Sequence, residues 1–418
     1  MKLLEHLAAR GLVKDTTDRH ALDELLAGAP ILFYCGFDPS GPSLHAGSLV
    51  PLALMTWLAR AGHQPLAVLG GATGMVGDPS GKSSERTLLA ADELARHAAA
   101  VGAQLARLLP GAEVVDNASW TQMRLLEFLR DVGKHVSVNS MLAKESVRAR
   151  LEDREQGISY TEFSYMLLQA WDFAHLARAR DCRLQVGGSD QWGNITCGID
   201  LARRMGTGAQ LHALVTPLLM TASGEKFGKS EAGTSVWLDP AMTSPYAFYQ
   251  YWLGAADADV ERFLLLFTFI SLHEIAEVVA AHDADRAARS GQRRLAREVT
   301  SWVHGADAAR AAGVAAQVLF GGSVDRLTDA DLAGLDVPRS EFPRAELAAG
   351  IPILDLLVRT GLADSRSAAR RLITQGGAYV NNLKVDDPAR SLGLADLATE
   401  SVLLLRAGKK SFHLVQVI

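Results

Sequence analysis

The chain is predicted to be an α/β protein: a Rossmann-like parallel-sheet domain, then a small all-helical domain, then a compact C-terminal α+β module. Three observations predict this. The first half alternates short apolar runs with helical patterns, the signature of parallel strands joined by crossover helices. From Pro245 to about Phe320 the pattern is helical and alanine-rich, with no strand-like alternation. The segment Ile351–Ile418 then carries nine Lys/Arg against six Asp/Glu, a balance of +3 within a total of −5, which leaves −8 on the rest. The expected domains are residues 1–244 (Rossmann-like), 245–330 (helical), 331–350 (a loosely patterned linker) and 351–418 (basic).

Within the first domain, Ile31–Gly36 reads as the first strand and Gly47–Ala61 as a partly buried helix, with Pro51 tolerated in its first turn. Leu66–Gly70, Glu113–Asp116 and Arg183–Val186 read as the next three strands, each followed by a loop and a helix. In such a sheet the loops at the carboxyl ends of the strands build the ligand site.

Composition narrows the function. At 418 residues and 48% hydrophobic, the chain can bury a core in two or three domains. Net charge −5 excludes a wholly basic nucleic-acid coat and leaves RNA contacts to a local basic surface. Cys35, Cys182 and Cys197 show neither paired disulfide spacing nor a zinc pattern, which fits a reducing cytoplasm and no protein-bound metal. Glu5, His6 and Arg10 interrupt the start before a signal-like stretch forms. The most apolar run, Phe263–Ile270, is far shorter than the roughly 20 residues that span a bilayer, so no membrane role is expected.

Two segments carry phosphate chemistry. Tyr34–Ser48 (Y-C-G-F-D-P-S-G-P-S-L-H-A-G-S) sets strand, glycine-bearing turn and helix start in succession. There, helix N-terminal amides attract anions, Gly47 permits close approach, and His45 can donate to a phosphate oxygen. Taken alone, H-A-G-S is as easily an ordinary strand-to-helix loop. Lys226–Ser230 (K-F-G-K-S) places two lysines on a polar, glycine-bearing loop that could close on the charge of departing pyrophosphate. Taken alone, a lysine-rich loop is usually just solvated. On the expected helix Phe163–Phe173, Tyr165, Gln169 and Asp172 fall at i, i+4 and i+7 and share one face among apolar neighbours, as in a ligand pocket. Gly77–Ser83 (G-D-P-S-G-K-S) suggests a phosphate-binding loop of kinases, but such a motif needs glycine where Val76 stands.

Together, H-A-G-S and K-F-G-K-S resemble the HIGH and KMSKS signatures of class I aminoacyl-tRNA synthetases. F-S-Y-M-L-L-Q-A-W-D-F (Phe163–Phe173) and Q-V-G-G-S-D-Q-W-G-N (Gln185–Asn194) resemble the tyrosyl-tRNA synthetase family, and the likeness spans nearly the whole chain. The resemblance implies a two-step enzyme that uses L-tyrosine, ATP with accompanying Mg2+, and tRNA(Tyr), and works as a cytoplasmic homodimer joined through the catalytic domain. It implies that Tyr34 and Asp172 bond the substrate phenol, that Asp78, Tyr165 and Gln169 hold its ammonium, and that Gln185 supports them. For ATP it implies Gly36, Asp38, Ser40, His45 and Gly47 on one side, Gly188, Asp190 and Gln191 near the ribose, and Lys226 and Lys229 on the loop. Lys82 and Arg86 are expected pyrophosphate contacts, while Asn117 and Trp120 fit the pattern more loosely. Ser48 departs from the histidine or asparagine usual at the end of the HIGH signature, and Ala46 is a milder change; altered ATP affinity is expected.

The basic tail resembles a small RNA-binding module shared with a ribosomal small-subunit protein. Arg366, Arg370 and Arg371 on a helix capped by Asp364 or Ser365, with Lys384 on a following strand, are the expected phosphate contacts. Tryptophan as substrate, and an inactive body that only binds RNA, are the readings to be tested against this one.

Overall fold

A computed structural model describes the chain except residues 81–88, 145–146, 149–150, 152–157, 223, 225–226, 229–233, 325–326, 334, 336 and 409–410. The chain divides into two compact units: Met1–Ser244 with Gly254–Leu295, and Pro245–Leu253 with Ala296–Ile418.

The first unit is built on six strands: β1 (Asp15–Thr16), β2 (Leu32–Phe37), β3 (Gln64–Leu69), β4 (Glu113–Asp116), β5 (Cys182–Gly188) and β6 (His212–Thr216). Their order is β1-β6-β5-β2-β3-β4, parallel except for the antiparallel edge strand β1. The chain runs outward from β2 to β4, then returns to lay β5 on the other side of β2. The loops that leave β2 and β5 therefore diverge, and the crevice between their carboxyl ends is where such sheets bind ligands.

The interior strands are nearly continuous apolar runs because helices cover both faces. The helix Leu49–Arg60, with Pro51 in its first turn, buries seven apolar side chains. The long helix Tyr160–Arg180 starts at Ser159, whose hydroxyl accepts from the Glu162 amide, and ends at left-handed Asp181. It packs on the helix Trp192–Arg204. Close approach is possible there because Gly198 has no side chain: a Cβ at that point would lie 3.0 Å from Cβ of Phe173.

All four expected strands are present, Glu113–Asp116 with the same bounds and the other three with ends shifted by one or two residues, while β1 and β6 are not among the expected strands. β6 is entirely buried, so it lacks the alternation that marks a strand, and β1 is a two-residue edge.

The second unit joins helices to a five-stranded sheet of order Leu383–Lys384, Ala378–Val380, Val402–Ala407, Ser411–Val417, Arg339–Phe342. Residues 331–350, expected as a linker, instead supply the strand Arg339–Phe342, parallel to Ser411–Val417, and the helix Arg344–Ala349. This pairing is long-range and leaves no local trace. The expected helical domain 245–330 is also redistributed. Its residues Gly254–Leu295 belong to the first unit, while the helix Ala306–Leu319 packs with Pro245–Leu253 and shares a core with Leu404, Phe412 and Leu414 of the sheet.

Candidate active site

A cleft of about 540 Å³ opens at the carboxyl ends of β2 and β5. It is lined by all the described residues expected there: Tyr34, Gly36, Asp38, Ser40, His45, Gly47, Asp78, Tyr165, Gln169, Asp172, Gln185, Gly188, Asp190 and Gln191. Lys82, Arg86, Lys226 and Lys229 lie outside the described residues.

At the closed end, Tyr34 and Gln185 are register partners on adjacent parallel strands, so their side chains leave the same face of the sheet. Both are buried, and neither the Tyr34 hydroxyl nor Gln185 Oε1 has a hydrogen-bond partner among the described residues. Burial, and then the charge of Asp172, hold the Tyr34 phenol well above its ordinary pKa, so it stays a protonated donor. Asp172, one turn beyond Gln169 on the long helix, is also buried. Its Oδ1 accepts from Trp120 Nε1 at 2.7 Å and its Oδ2 from Asn117 Nδ2 at 3.0 Å. Burial pushes its carboxyl up to about 7, while the two hydrogen bonds pull the other way.

From Asp172 a hydrogen-bonded chain runs toward the open end. Asn117 Nδ2 also donates to Thr73 Oγ1 (3.1 Å), Thr73 donates to Asp38 Oδ1 (2.9 Å), and Tyr165 donates to Asp38 Oδ2 (2.7 Å). The turn Gly70–Thr73 that carries Thr73 is held by Asp116, which accepts from Gly71 N (3.1 Å), and by Asn117, which accepts from Ala72 N (2.8 Å). Glycine is required here: a Cβ on Gly70 would sit 2.0 Å from Asp38 Oδ1, and one on Gly71 2.2 Å from Asp116 Oδ1. A second network fixes Asp78, whose Oδ2 accepts from Gln191 Nε2 (2.6 Å) and Oδ1 from Ser80 N (2.9 Å). Asn194 Nδ2 ties Gln169 Oε1 to the same group at 2.9 Å. Thr73, Asp116 and Asn194 were not singled out from sequence. Only Asn194 had a signal, as the last residue of the quoted Q-V-G-G-S-D-Q-W-G-N stretch.

At the open end, the 3-10 turn Ala46–Ser48 leads into the helix Leu49–Arg60. His45 Nδ1 accepts from Gly47 N at 3.0 Å, which puts the ring proton on Nε2. The backbone around this turn is paired with the segment after the K-F-G-K-S loop: Ala46 N donates to Val236 O (2.8 Å) and Leu238 N to Leu44 O (2.8 Å), while Val236 N donates back to Gly228 O (3.0 Å). A Cβ on Gly228 would lie 3.0 Å from Gly47 N, so the two signature loops meet backbone to backbone.

Comparisons with known proteins place the chain in a family. The family profile described as tRNA synthetases class I (W and Y) matches residues 26–321. A profile for the SYY-like C-terminal domain of tyrosine–tRNA ligases matches residues 335–415. A tyrosine–tRNA ligase of Corynebacterium glutamicum is 50% identical, with 100% of both chains covered. The chain belongs to the tyrosine–tRNA ligase family of class I tRNA synthetases. A second member of the family, from Rhodopirellula baltica, is 48% identical over 99% of this chain and 96% of its own. Among solved structures, a C-terminally truncated mitochondrial tyrosyl-tRNA synthetase of Coccidioides posadasii superposes with a TM-score of 0.66. It is 33% identical and covers 75% of this chain and 91% of its own.

In the second unit the helix Arg366–Thr374 is capped by Ser365, whose hydroxyl accepts from Ala368 N. Arg366, Arg370, Arg371 and Lys384 are all exposed, with Arg366 paired to Asp355 and Lys384 to Asp386. No helix among the described residues is long and apolar enough to cross a membrane.

Proposed function

We propose that the chain activates L-tyrosine with MgATP at this cleft and passes it to tRNA(Tyr), with the phenol read by Tyr34 and Asp172. The observation that carries the reading is the pairing, at the closed end, of a protonated phenol donor with a carboxyl acceptor. A substrate hydroxyl can accept from Tyr34 and donate to Asp172, whereas phenylalanine offers nothing to either and an indole N–H could satisfy only the acceptor. The substrate ammonium lies toward Asp78, Tyr165 and Gln169, with Gln185 Oε1 as a further acceptor.

With tyrosine so placed, its carboxylate oxygen attacks the α-phosphorus of ATP, and the bond from that phosphorus to the bridging oxygen of pyrophosphate breaks. No protein nucleophile takes part. His45 Nε2, the amides around Gly47, Ser40 and the lysines Lys226 and Lys229 stabilise negative charge on the phosphates, with Lys82 and Arg86 receiving pyrophosphate. Gly36 leaves room for the nucleotide, since a Cβ there would meet nothing within 4 Å. Gly188, Asp190 and Gln191 meet the ribose. In the second step a terminal ribose hydroxyl of the tRNA attacks the adenylate carbonyl and AMP leaves. Arg366, Arg370, Arg371 and Lys384 contact RNA phosphates.

The working form is a cytoplasmic homodimer joined through the catalytic domain. What supports this is a cluster of exposed apolar side chains there: Leu125, Leu126 and Leu129 on a helix with no buried residue, with Val138 and Leu142 nearby in sequence. Leu126→Glu is expected to yield a monomer in light scattering; an unchanged dimer would move the interface elsewhere. The function itself is tested by amino-acid-dependent exchange of labelled pyrophosphate into ATP. Exchange with tyrosine and not with phenylalanine or tryptophan is expected, exchange with tryptophan would overturn the substrate, and none would leave a protein that only binds RNA.

A further inference from the structure

The K-F-G-K-S loop has a proposed catalytic task, and the structure shows what holds the stretch that leads into it. Beneath it runs the helix Asp257–Phe267 of the same unit. Asp259, in its first turn and buried, accepts from Ala222 N through Oδ2 at 2.9 Å. Its Oδ1 accepts from Arg262 Nη2 at 2.5 Å, and that same nitrogen donates to the carbonyl of Met220 at 2.6 Å. Two side chains one turn apart thus grip two backbone groups of the stretch that leads into the loop. A buried carboxylate is tolerable only with such partners, and the positive end of the helix favours it further.

The same helix also holds the start of the signature. Phe227, the second residue of the signature, is buried and stacks on Phe267 with ring centroids 5.1 Å apart, its edge meeting Phe263 at 5.2 Å. Its amide donates to Leu219 O at 3.1 Å, closing the stem. The next residue, Gly228, sits against Gly47 of the other signature.

We infer that Asp259 and Arg262 are positioning residues for adenylate formation, setting the register of the K-F-G-K-S loop over the phosphates without touching substrate. This inference rests on the catalytic role proposed for that loop. If the stem is released, the loop's charges lose their aim, while the tyrosine pocket on β2, β5 and the long helix is unaffected. A misplacement on the order of 1 Å in such an arrangement can cost about 100-fold in rate.

The test measures the rate of tyrosyl-adenylate formation at saturating substrates, and tyrosine Kd by equilibrium dialysis, in Asp259→Ala, Arg262→Ala, Arg262→Lys and Lys229→Ala. The expected result for Asp259→Ala and Arg262→Ala is a rate loss of about 10- to 100-fold with tyrosine Kd unchanged. Partial recovery is expected in Arg262→Lys, whose ammonium can stand in for the single nitrogen that bonds both Asp259 and Met220 but lacks the planar guanidinium that fixes its place. Should Asp259→Ala fail to fold, the partly exposed Arg262 carries the test. Normal rates in the Asp259 and Arg262 variants beside a slow Lys229→Ala would overturn the inference and leave the loop's role standing. A normal Lys229→Ala would instead remove the role on which the inference rests. A parallel loss of tyrosine affinity would mark Asp259 and Arg262 as merely structural and overturn it as well.

Discussion

Replacing Tyr34 by phenylalanine should push stability and substrate binding in opposite directions. The Tyr34 hydroxyl is buried at the closed end of the cleft with no partner among the described residues, and burial together with Asp172 keeps it protonated. An unsatisfied buried polar group costs about 1–3 kcal/mol, so its removal should stabilise the unliganded catalytic unit by on the order of 1 kcal/mol. In a unit of this size that is a rise in Tm of roughly 2 °C. Bound tyrosine loses one neutral hydrogen bond, worth about 0.5–1.5 kcal/mol, which is roughly 2- to 12-fold in Kd. Phenylalanine cannot use that hydroxyl, so selectivity for tyrosine over phenylalanine should fall by the same factor. The assays are thermal unfolding without ligand and pyrophosphate exchange with each amino acid. A variant that is less stable and binds tyrosine as well as before would refute the reasoning, because the hydroxyl would then serve the fold and not the substrate.

Other predictions concern charge and backbone space. Burial sets Asp172 at about 7 in the fold against 3.8 unfolded, so the native state binds the proton more tightly. Stability should therefore fall as pH rises from about 4 to 7, by a few kcal/mol at most, and level off above. Tyrosine affinity should do the reverse, rising through pH 7 as the carboxylate becomes the better acceptor. Dialysis and urea titration across this range check both, and the slopes should vanish in Asp172→Asn. Asp172→Ala, which also strands the donors Asn117 and Trp120, should abolish most tyrosine activation; near-normal exchange would remove Asp172 from the site. In Gly70→Ala the new methyl collides with Asp38, and adenylate formation should drop while far-ultraviolet circular dichroism is unchanged. Arg370→Ala with Arg371→Ala should weaken tRNA charging, and its dependence on salt, without altering pyrophosphate exchange. Unchanged charging would take the tail arginines out of the RNA surface.

The sequence also invites a cut before Ile351 to separate the basic tail, but the structure argues for the point substitutions. Ser411–Val417 pairs with Arg339–Phe342, and Ala315 and Val318 share a core with Leu404 and Leu414. Truncation would strip a sheet partner and expose that core, so a loss of charging would not report on RNA contacts alone.

By itself the sequence determined what is written in local order. Apolar periodicity placed four of the six strands of the catalytic sheet, and the i, i+4, i+7 spacing put Tyr165, Gln169 and Asp172 on one helical face. The signature stretches identified the family. Tertiary structure decided what depends on contacts between distant segments. Tyr165 meets Asp38 across 127 positions and Asn117 meets Thr73 across 44, so the chain of bonds that runs from the closed end of the cleft toward its open end has no local pattern. The strand Arg339–Phe342 is a strand because Ser411–Val417 lies beside it, and the fully buried β6 carries no alternation to announce it. Periodicity records which face of an element meets the core. It does not record which partner waits there, because a hydrogen bond between distant segments depends on the path of the whole chain.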